Sequence, residues 1–297
     1  MQLPGLVEAA ETADRREALS EARRLELEAP DRVDAGSVAV TDARGELVAY
    51  AQMGPPGADA THPVETVVEP GHRDQATWAD VFSATFMAVP MRDPLTLWTH
   101  GDDPARDAAL APAAPVLVRE LWQVRIPLPC AQPPSLPDDL SVRSFRRGLD
   151  EAAWLAVNNA AFAGHPEQGG WVVRDLLDRM RQPWFDEDGF LLAWAGPVLA
   201  GFCWTKVHPA SRFDPELGEI YVIATAPKFQ GRGLGRGLTL AGLEHLAGRG
   251  VATGMLYVDD DNTAARDLYR SIGFVDHAVT RGWRVSPRNL SMTGYPA

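Results

Sequence analysis

The sequence predicts an α/β chain of the α+β kind, built from two tandem domains, each a mixed, mostly antiparallel sheet flanked by helices. Three observations lead there. With 297 residues and 45% hydrophobic side chains, the chain can bury a substantial core, and its length is nearer to two ordinary domains than to one. Five prolines crowd the segment PLPCAQPPSLP between Pro127 and Pro137, where the missing backbone N–H groups stop a helix or a central strand. Strands and helices follow in a similar order on either side of it. The expected division is a domain over 1–128, a proline-rich linker over 129–138 and a second domain over 139–297.

Helical spacing of apolar residues comes first, at Leu3–Ala13 and Ala18–Leu27. Apolar runs at Ser37–Val40, Leu47–Gln52 and Val64–Val68, separated by turn residues, read as strands. Ala76–Val89 returns to helical spacing and Val116–Ile126 is again a strand, giving an order of roughly ααβββαβαβ. Beyond the prolines, strands are expected at Leu140–Phe145, Phe190–Trp194, Leu199–Val207, Glu219–Ala224, Gly254–Val258 and Val275–Val285. Helices are expected at Glu151–Ala161, Val172–Arg179, Gly235–Ala247 and Thr263–Ile272. A duplicated domain explains the repeated order more simply than two unrelated folds.

The net charge of -12, with no Lys/Arg run longer than two, argues against a nucleic-acid partner and for a small-molecule substrate. No apolar stretch reaches the roughly 18 residues of a membrane span. Glu8, Glu11, Asp14, Arg15 and Arg16 leave no room for the apolar core of a signal peptide, so a cytoplasmic monomer with no membrane contact is expected. Two cysteines, Cys130 and Cys203, make neither a disulfide framework nor a zinc set, so no metal is expected. Cys203, inside GFCW, reads as a small core residue.

The most informative stretch is GEIYVIATAPKFQGRGLGRGL, from Gly218 to Leu238, where an apolar strand gives way to a glycine-rich turn and then a helix. Glycines let consecutive N–H groups approach an anion, and the helix adds its positive end; together they form a cradle for a pyrophosphate, to which Arg232 and Arg236 add charge. The spacing fits neither a Rossmann fingerprint nor a P-loop, since the glycines alternate and no Lys-Ser/Thr follows. A lone G-x-G would read as a surface turn. Its place between strand and helix, followed by DNTAARDLYRSIGF with Asn262 as a helix cap, favours the anion site.

Together these two segments resemble the paired cofactor motifs of the GNAT superfamily of N-acetyltransferases. The resemblance implies that Gln230, Gly231, Arg232, Gly233, Leu234, Gly235 and Arg236 bind the pyrophosphate of acetyl-CoA. It further implies cofactor contacts from Ile223, Ala224 and Thr225 on the strand, and from Asn262, Thr263, Ala264, Ala265, Arg266 and Asp267 beside the pantetheine arm. The segments NNAAFAGHPEQGGW, WFDEDG, FCWTKVHP, GEIYVIATAP and LYVDDDNTAA resemble, in this order, a tandem-repeat actinobacterial branch of the superfamily that completes mycothiol synthesis. That match is close over most of the C-terminal half and loose over the N-terminal half. It implies acetyl transfer from acetyl-CoA to the cysteinyl amine of cysteinyl-glucosaminyl-inositol. The implied substrate contacts are Glu21 in LSEARRL, Glu167 in HPEQ, Lys206 in WTKVHP, Glu219 in GEIYV and Tyr257 in LYVDDDN.

An α-amine has a pKa of about 7.7–8.0, so it must lose a proton before it attacks a thioester. Glu219, a carboxylate in an otherwise apolar strand, is the candidate base, acting directly or through water, and burial would raise its pKa. The plainer alternative is a strand-end glutamate paired with Lys206 or with solvent. Tyr269, seven residues after Asn262 on the same helix face, is the candidate acid for the departing thiolate, a role that the resemblance supports; on pattern alone it reads as core. Lys206 and Glu167 suit a polyhydroxyl substrate, with ordinary surface charge as the alternative. His165 and His208 read as loop residues beside Pro166 and Pro209.

In the N-terminal half the corresponding turn reads HRDQATW, with Ala76 and Trp78 where the glycines stand and Asp74 adding negative charge. This half is expected to be structural, with a degenerate CoA site, and to close one side of the substrate cleft. Two other readings stay open: an acetyltransferase for a different primary amine, and a non-catalytic acetyl-CoA-binding regulator.

Overall fold

In a computed structural model, residues 2–28, 36–57, 60–89, 93–163, 168–211 and 213–286 are described. The chain forms two compact units, one from Met1 to Glu120 together with the chain from Val279 onward, the other from Leu121 to Ala278. The division thus falls inside two strands and not at the proline-rich segment. No helix among the described residues is long and apolar enough to cross a membrane.

The first unit opens with α1 (Leu3–Asp14) and α2 (Glu21–Glu28), then β1 (Ser37–Thr41), β2 (Leu47–Met53) and β3 (His62–Val68). After them come α3 (Gln75–Ala88), β4 (Leu95–His100), α4 (Pro104–Leu110) and the start of β5 (Val116–Pro127). α2 begins later than the apolar spacing suggested because Ser20 caps it, its Oγ accepting from the Arg23 N–H at 3.4 Å. The sheet order is β1-β2-β3-β4, antiparallel except for the parallel β3–β4 pair. The end of β11 (Val275–Val285) pairs antiparallel with β4 from Thr280 to Val285. Trp78, Phe82 and Phe86 on α3 pack with Val64, Val68, Leu95 and Leu97 to make its core.

In the second unit the order is β5-β10-β9-β8-β7-β6. Its elements are β6 (Ser141–Ser144), α5 (Glu151–Ala161), α6 (Val173–Met180), β7 (Phe190–Ala195), β8 (Val198–His208), β9 (Leu217–Thr225), α7 (Leu234–Gly248), β10 (Thr253–Asp259) and α8 (Thr263–Ile272). One face carries an aromatic core in which the rings of Phe190 and Trp204 stack at 4.3 Å and Trp154 meets Trp204 edge-on at 5.8 Å. The other face buries Cys203 and Ile220 with Leu238, Leu243 and Leu246 of α7 and Tyr269 and Ile272 of α8. Cys203 is fully buried, and that burial pushes its thiol far above the usual range, so it is a core residue as expected.

The proline-rich segment is packed, not loose. Leu128, Cys130 and Leu136 lie against the α7–α8 core, and Gly237 on α7 makes room for them, since a Cβ there would run into the Ser135 carbonyl.

Candidate active site

The site is built around β9. Its parallel pairing with β10 runs only through Gly218↔Gly254 and Glu219↔Met255, and no β9–β10 partner follows among the described residues. On its other edge β9 stays paired with β8 as far as Thr225, with Ile223 opposite Cys203, Ala224 opposite Phe202 and Thr225 opposite Gly201. The main chain from Ile220 to Thr225 therefore has one ladder satisfied and one edge open to a ligand. The β8–β9 register shifts at Trp204/Thr205, where Tyr221 is the extra residue of a bulge that re-aims the strand beside Glu219.

Glu219 is 6% exposed and directly opposite Lys206, itself 8% exposed. Opposed residues share a sheet face, so both lie on the aromatic-core side. The Lys206 ammonium sits 4.7 Å from the Trp184 ring centroid and 5.3 Å from that of Tyr221, a cation–π cage whose Tyr221 hydroxyl accepts from Arg179 Nε at 2.9 Å. The hydrogen-bond partner found for Glu219 is His208, with Nε2 2.7 Å from Oε2. His208 is not the loop residue expected from its neighbour Pro209 but the last residue of β8. Strand alternation held the missed signal: His208 is two residues from Lys206 and so on the same face.

At the far end of β9 the glycine turn takes the expected form. Gly231 and Gly233 have φ of 75° and 79°, the left-handed region that glycine supplies without strain. Gly233 is the N-cap of α7 and offers no side-chain cap, so the first N–H groups of a 15-residue helix are left for an anion. A Cβ added at Gly235 would meet Leu268 and the Thr225 hydroxyl only at ordinary contact distance. The cationic side chains are less available than the sequence suggested: Arg232 bonds Asp139 at 2.6 Å, and Arg236 donates to Ser271 Oγ at 2.7 Å and to Gln132.

Asn262 caps α8 as expected, its Oδ1 accepting from the Ala265 N–H at 3.2 Å. Thr263, Ala264 and Asp267 are exposed on that helix, while Arg266 is buried, paired with Asp260 and Asp276 and lying 4.9 Å from the Trp122 ring centroid. Tyr269 is 8% exposed and meets Phe274 at 5.7 Å. Burial, with the Cys203 sulfur nearby, holds its phenol well above the usual tyrosine value, so it keeps its proton at neutral pH.

Tyr257 is half exposed on β10, on the same face as Met255 and hence as Glu219, and its hydroxyl accepts from Gln123 Nε2 at 2.8 Å. Gln123 in turn accepts from Arg125, which grips Asp214 with bonds of 2.7 and 3.0 Å, a chain that the sequence did not suggest. Glu167 and the side chain of Glu21 lie outside the described residues. Among the described residues no group of His, Cys, Asp and Glu side chains is arranged to hold a metal.

The start of α3 in the first unit carries a side-chain cap. Asp74 caps α3 and accepts from the Thr77 N–H at 2.8 Å, which holds its carboxyl below the usual range. Trp78, on the same helix, is buried and donates from Nε1 to Asp103 at 3.1 Å.

Residues 150–274 match the Acetyltransferase (GNAT) family model. A mycothiol acetyltransferase from Streptomyces coelicolor is 47% identical over 283 residues, covering 94% of this chain and 89% of the relative. One from Catenulispora acidiphila is 44% identical, covering 91% of this chain and 90% of its own. Among solved structures, a tandem GNAT protein from the clavulanic acid biosynthesis pathway superposes with a TM-score of 0.69 at 17% identity, over 99% of this chain and 95% of that one. An N-acetyltransferase from Sphaerobacter thermophilus gives 0.69 at 23% identity, over 95% and 91%.

Proposed function

The chain belongs to the mycothiol acetyltransferases of the GNAT family, and from that premise we propose that it transfers the acetyl group of acetyl-CoA to the cysteinyl amine of cysteinyl-glucosaminyl-inositol. One observation carries this reading: a buried carboxylate, Glu219, stands where β9–β10 pairing stops, and the same strand leads to a helix start left uncapped by any side chain. An acyl donor held by its pyrophosphate at one end of β9 would present its acyl group near the other.

The residues fit such a donor. Gln230, Gly231, Arg232, Gly233, Leu234, Gly235 and Arg236 would hold the pyrophosphate, mostly through main-chain N–H groups, since Arg232 and Arg236 have protein partners. The open edge of Ile223, Ala224 and Thr225 would pair with the amide-bearing arm, and the Asn262–Asp267 turn of α8 would flank it. When bound, acetyl-CoA supplies the activated acyl group. Glu219 accepts the ammonium proton of the acceptor, and Tyr269, which burial keeps protonated, donates to the leaving sulfur. Lys206 and Tyr257 lie on the Glu219 face and are the proposed contacts for the sugar and inositol hydroxyls, together with Glu167 and Glu21.

The decisive assay follows release of the CoA thiol from acetyl-CoA with cysteinyl-glucosaminyl-inositol, against a panel of amino sugars and peptide N-termini. Turnover with the first acceptor is expected to exceed that with every other by at least about 100-fold, the scale on which buried polar contacts discriminate. Turnover confined to another amine would replace this substrate, and binding of acetyl-CoA without turnover would replace the enzyme by a regulator.

A further inference from the structure

Glu219 does not stand alone. Among the described residues its Oε1 has no protein hydrogen-bond partner, while Oε2 is held by His208 Nε2 at 2.7 Å. The Glu219 side chain is 8% exposed and that of His208 24%, so the imidazole is the member of the pair in contact with solvent. Both belong to one face of the β8–β9 ladder, and the bulge at Tyr221 sets the local register that brings them together.

We propose that His208 is the positioning residue of Glu219: its imidazole N–H holds Oε2, leaves Oε1 aimed at the acceptor amine, and ties the basicity of the carboxylate to its own protonation. This deepens the acetyl-transfer reading and rests on it. A neutral imidazole gives the carboxylate one hydrogen bond and leaves it able to accept a proton. An imidazolium at the same distance stabilises the charged carboxylate further and weakens it as a base. Proton bookkeeping is complete without another reactant. One proton passes from the ammonium nitrogen to Glu219 and on to solvent; the C–N bond forms as the C–S bond breaks; the second nitrogen proton balances the one taken up by sulfur.

Other charged groups share this face and must be separated from the pair. Lys206 lies opposite Glu219 on β8, Tyr257 and Arg125 are on β10 and β5, Asp214 grips Arg125, and Arg179 reaches in from α6. His277 on β11 is a second histidine there, disfavoured as a cation by burial and then by Arg125.

The test compares kcat, KM and pH profiles of the wild type, H208A, H208Q and H277Q with acetyl-CoA and cysteinyl-glucosaminyl-inositol. H208A is expected to lose about 30-fold in kcat, a part of the general-base contribution, with the KM for acetyl-CoA unchanged and the acid limb displaced. H208Q keeps an N–H donor and should recover most of kcat, with an acid limb that reports a single carboxyl group; H277Q should keep the wild-type limb. Wild-type kcat and acid limb in H208A would overturn the proposal, as would equal losses in H208A and H208Q with an unmoved limb. A wild-type chain inactive with this acceptor would sink the substrate reading instead. In that event NMR titration still decides, because His208 and Glu219 resonances that respond to pH independently of each other would overturn the pairing.

Discussion

The start of α3 in the first unit and the start of α7 in the second occupy the same place in a repeated order of elements, yet only one carries a side-chain cap. Asp74 caps α3 with its own carboxylate, accepting from the Thr77 N–H. α7 begins on Gly233, with no side chain to satisfy the N–H groups behind it. The buried strand glutamates differ in the same way. Glu65 on β3 accepts from the Ser20 backbone N–H at 2.6 Å, whereas Glu219 is held by the His208 side chain. A helix start that could meet an anion is occupied when the chain supplies the carboxylate itself.

The largest expected effect is at Glu219. E219Q should lower kcat by about 1000-fold, within the range for loss of a general base, and leave acetyl-CoA affinity unchanged in calorimetry. E65Q in the first unit should leave kcat as it was; a matching loss would erase the contrast between the two carboxylates. Next comes Y269F, expected to lower kcat by about 100-fold with little change in melting temperature. Because burial holds the Tyr269 phenol far above neutrality, the basic limb of the wild-type pH profile below pH 9 should not belong to it.

Grafting the first unit's chemistry onto the second gives a smaller change. G233D places a side chain at a φ of 79° and a charge where phosphate would lie, so acetyl-CoA affinity should fall by about 30-fold. A full equivalent of acetyl-CoA still bound at wild-type affinity would locate a site in the first unit and break the comparison. Smallest is D74A, expected to lower the melting temperature by a few degrees at neutral pH with kcat unchanged. The folded-state carboxyl of Asp74 is lowered by the Thr77 N–H, so its contribution is present above the ordinary carboxylate range and fades as the pH falls through the lowered value. In acid the variant and the wild type should melt alike.

Much of this was legible in the residues because the second unit is locally consistent. Its helices start at Asn262 and at the glycine turn, and its strands are apolar runs bounded by turn residues, so the observed bounds of β8, β9 and α8 lie within two residues of the expected ones. What could not be read was set by partners distant in sequence. His208 meets Glu219 across a ladder whose bulge no alternation pattern reveals. Arg236 is occupied by Gln132 from the proline-rich segment, and Arg266 by Asp260 and Asp276, pairings that depend on how the segments pack. The prolines signalled a break in regular structure correctly, but not that Leu128 and Leu136 would be packed against α7 and α8.

The antiparallel pairing of β4 with Thr280–Val285 has a consequence for how the protein is made. Translation delivers β4 long before its partner, so one edge of the first unit's sheet stays bare on the ribosome until Thr280–Val285 have emerged. An exposed edge invites pairing with other nascent chains. Completion of the first unit is thereby tied to β11, and a translation product truncated before it would be left with an adhesive sheet edge.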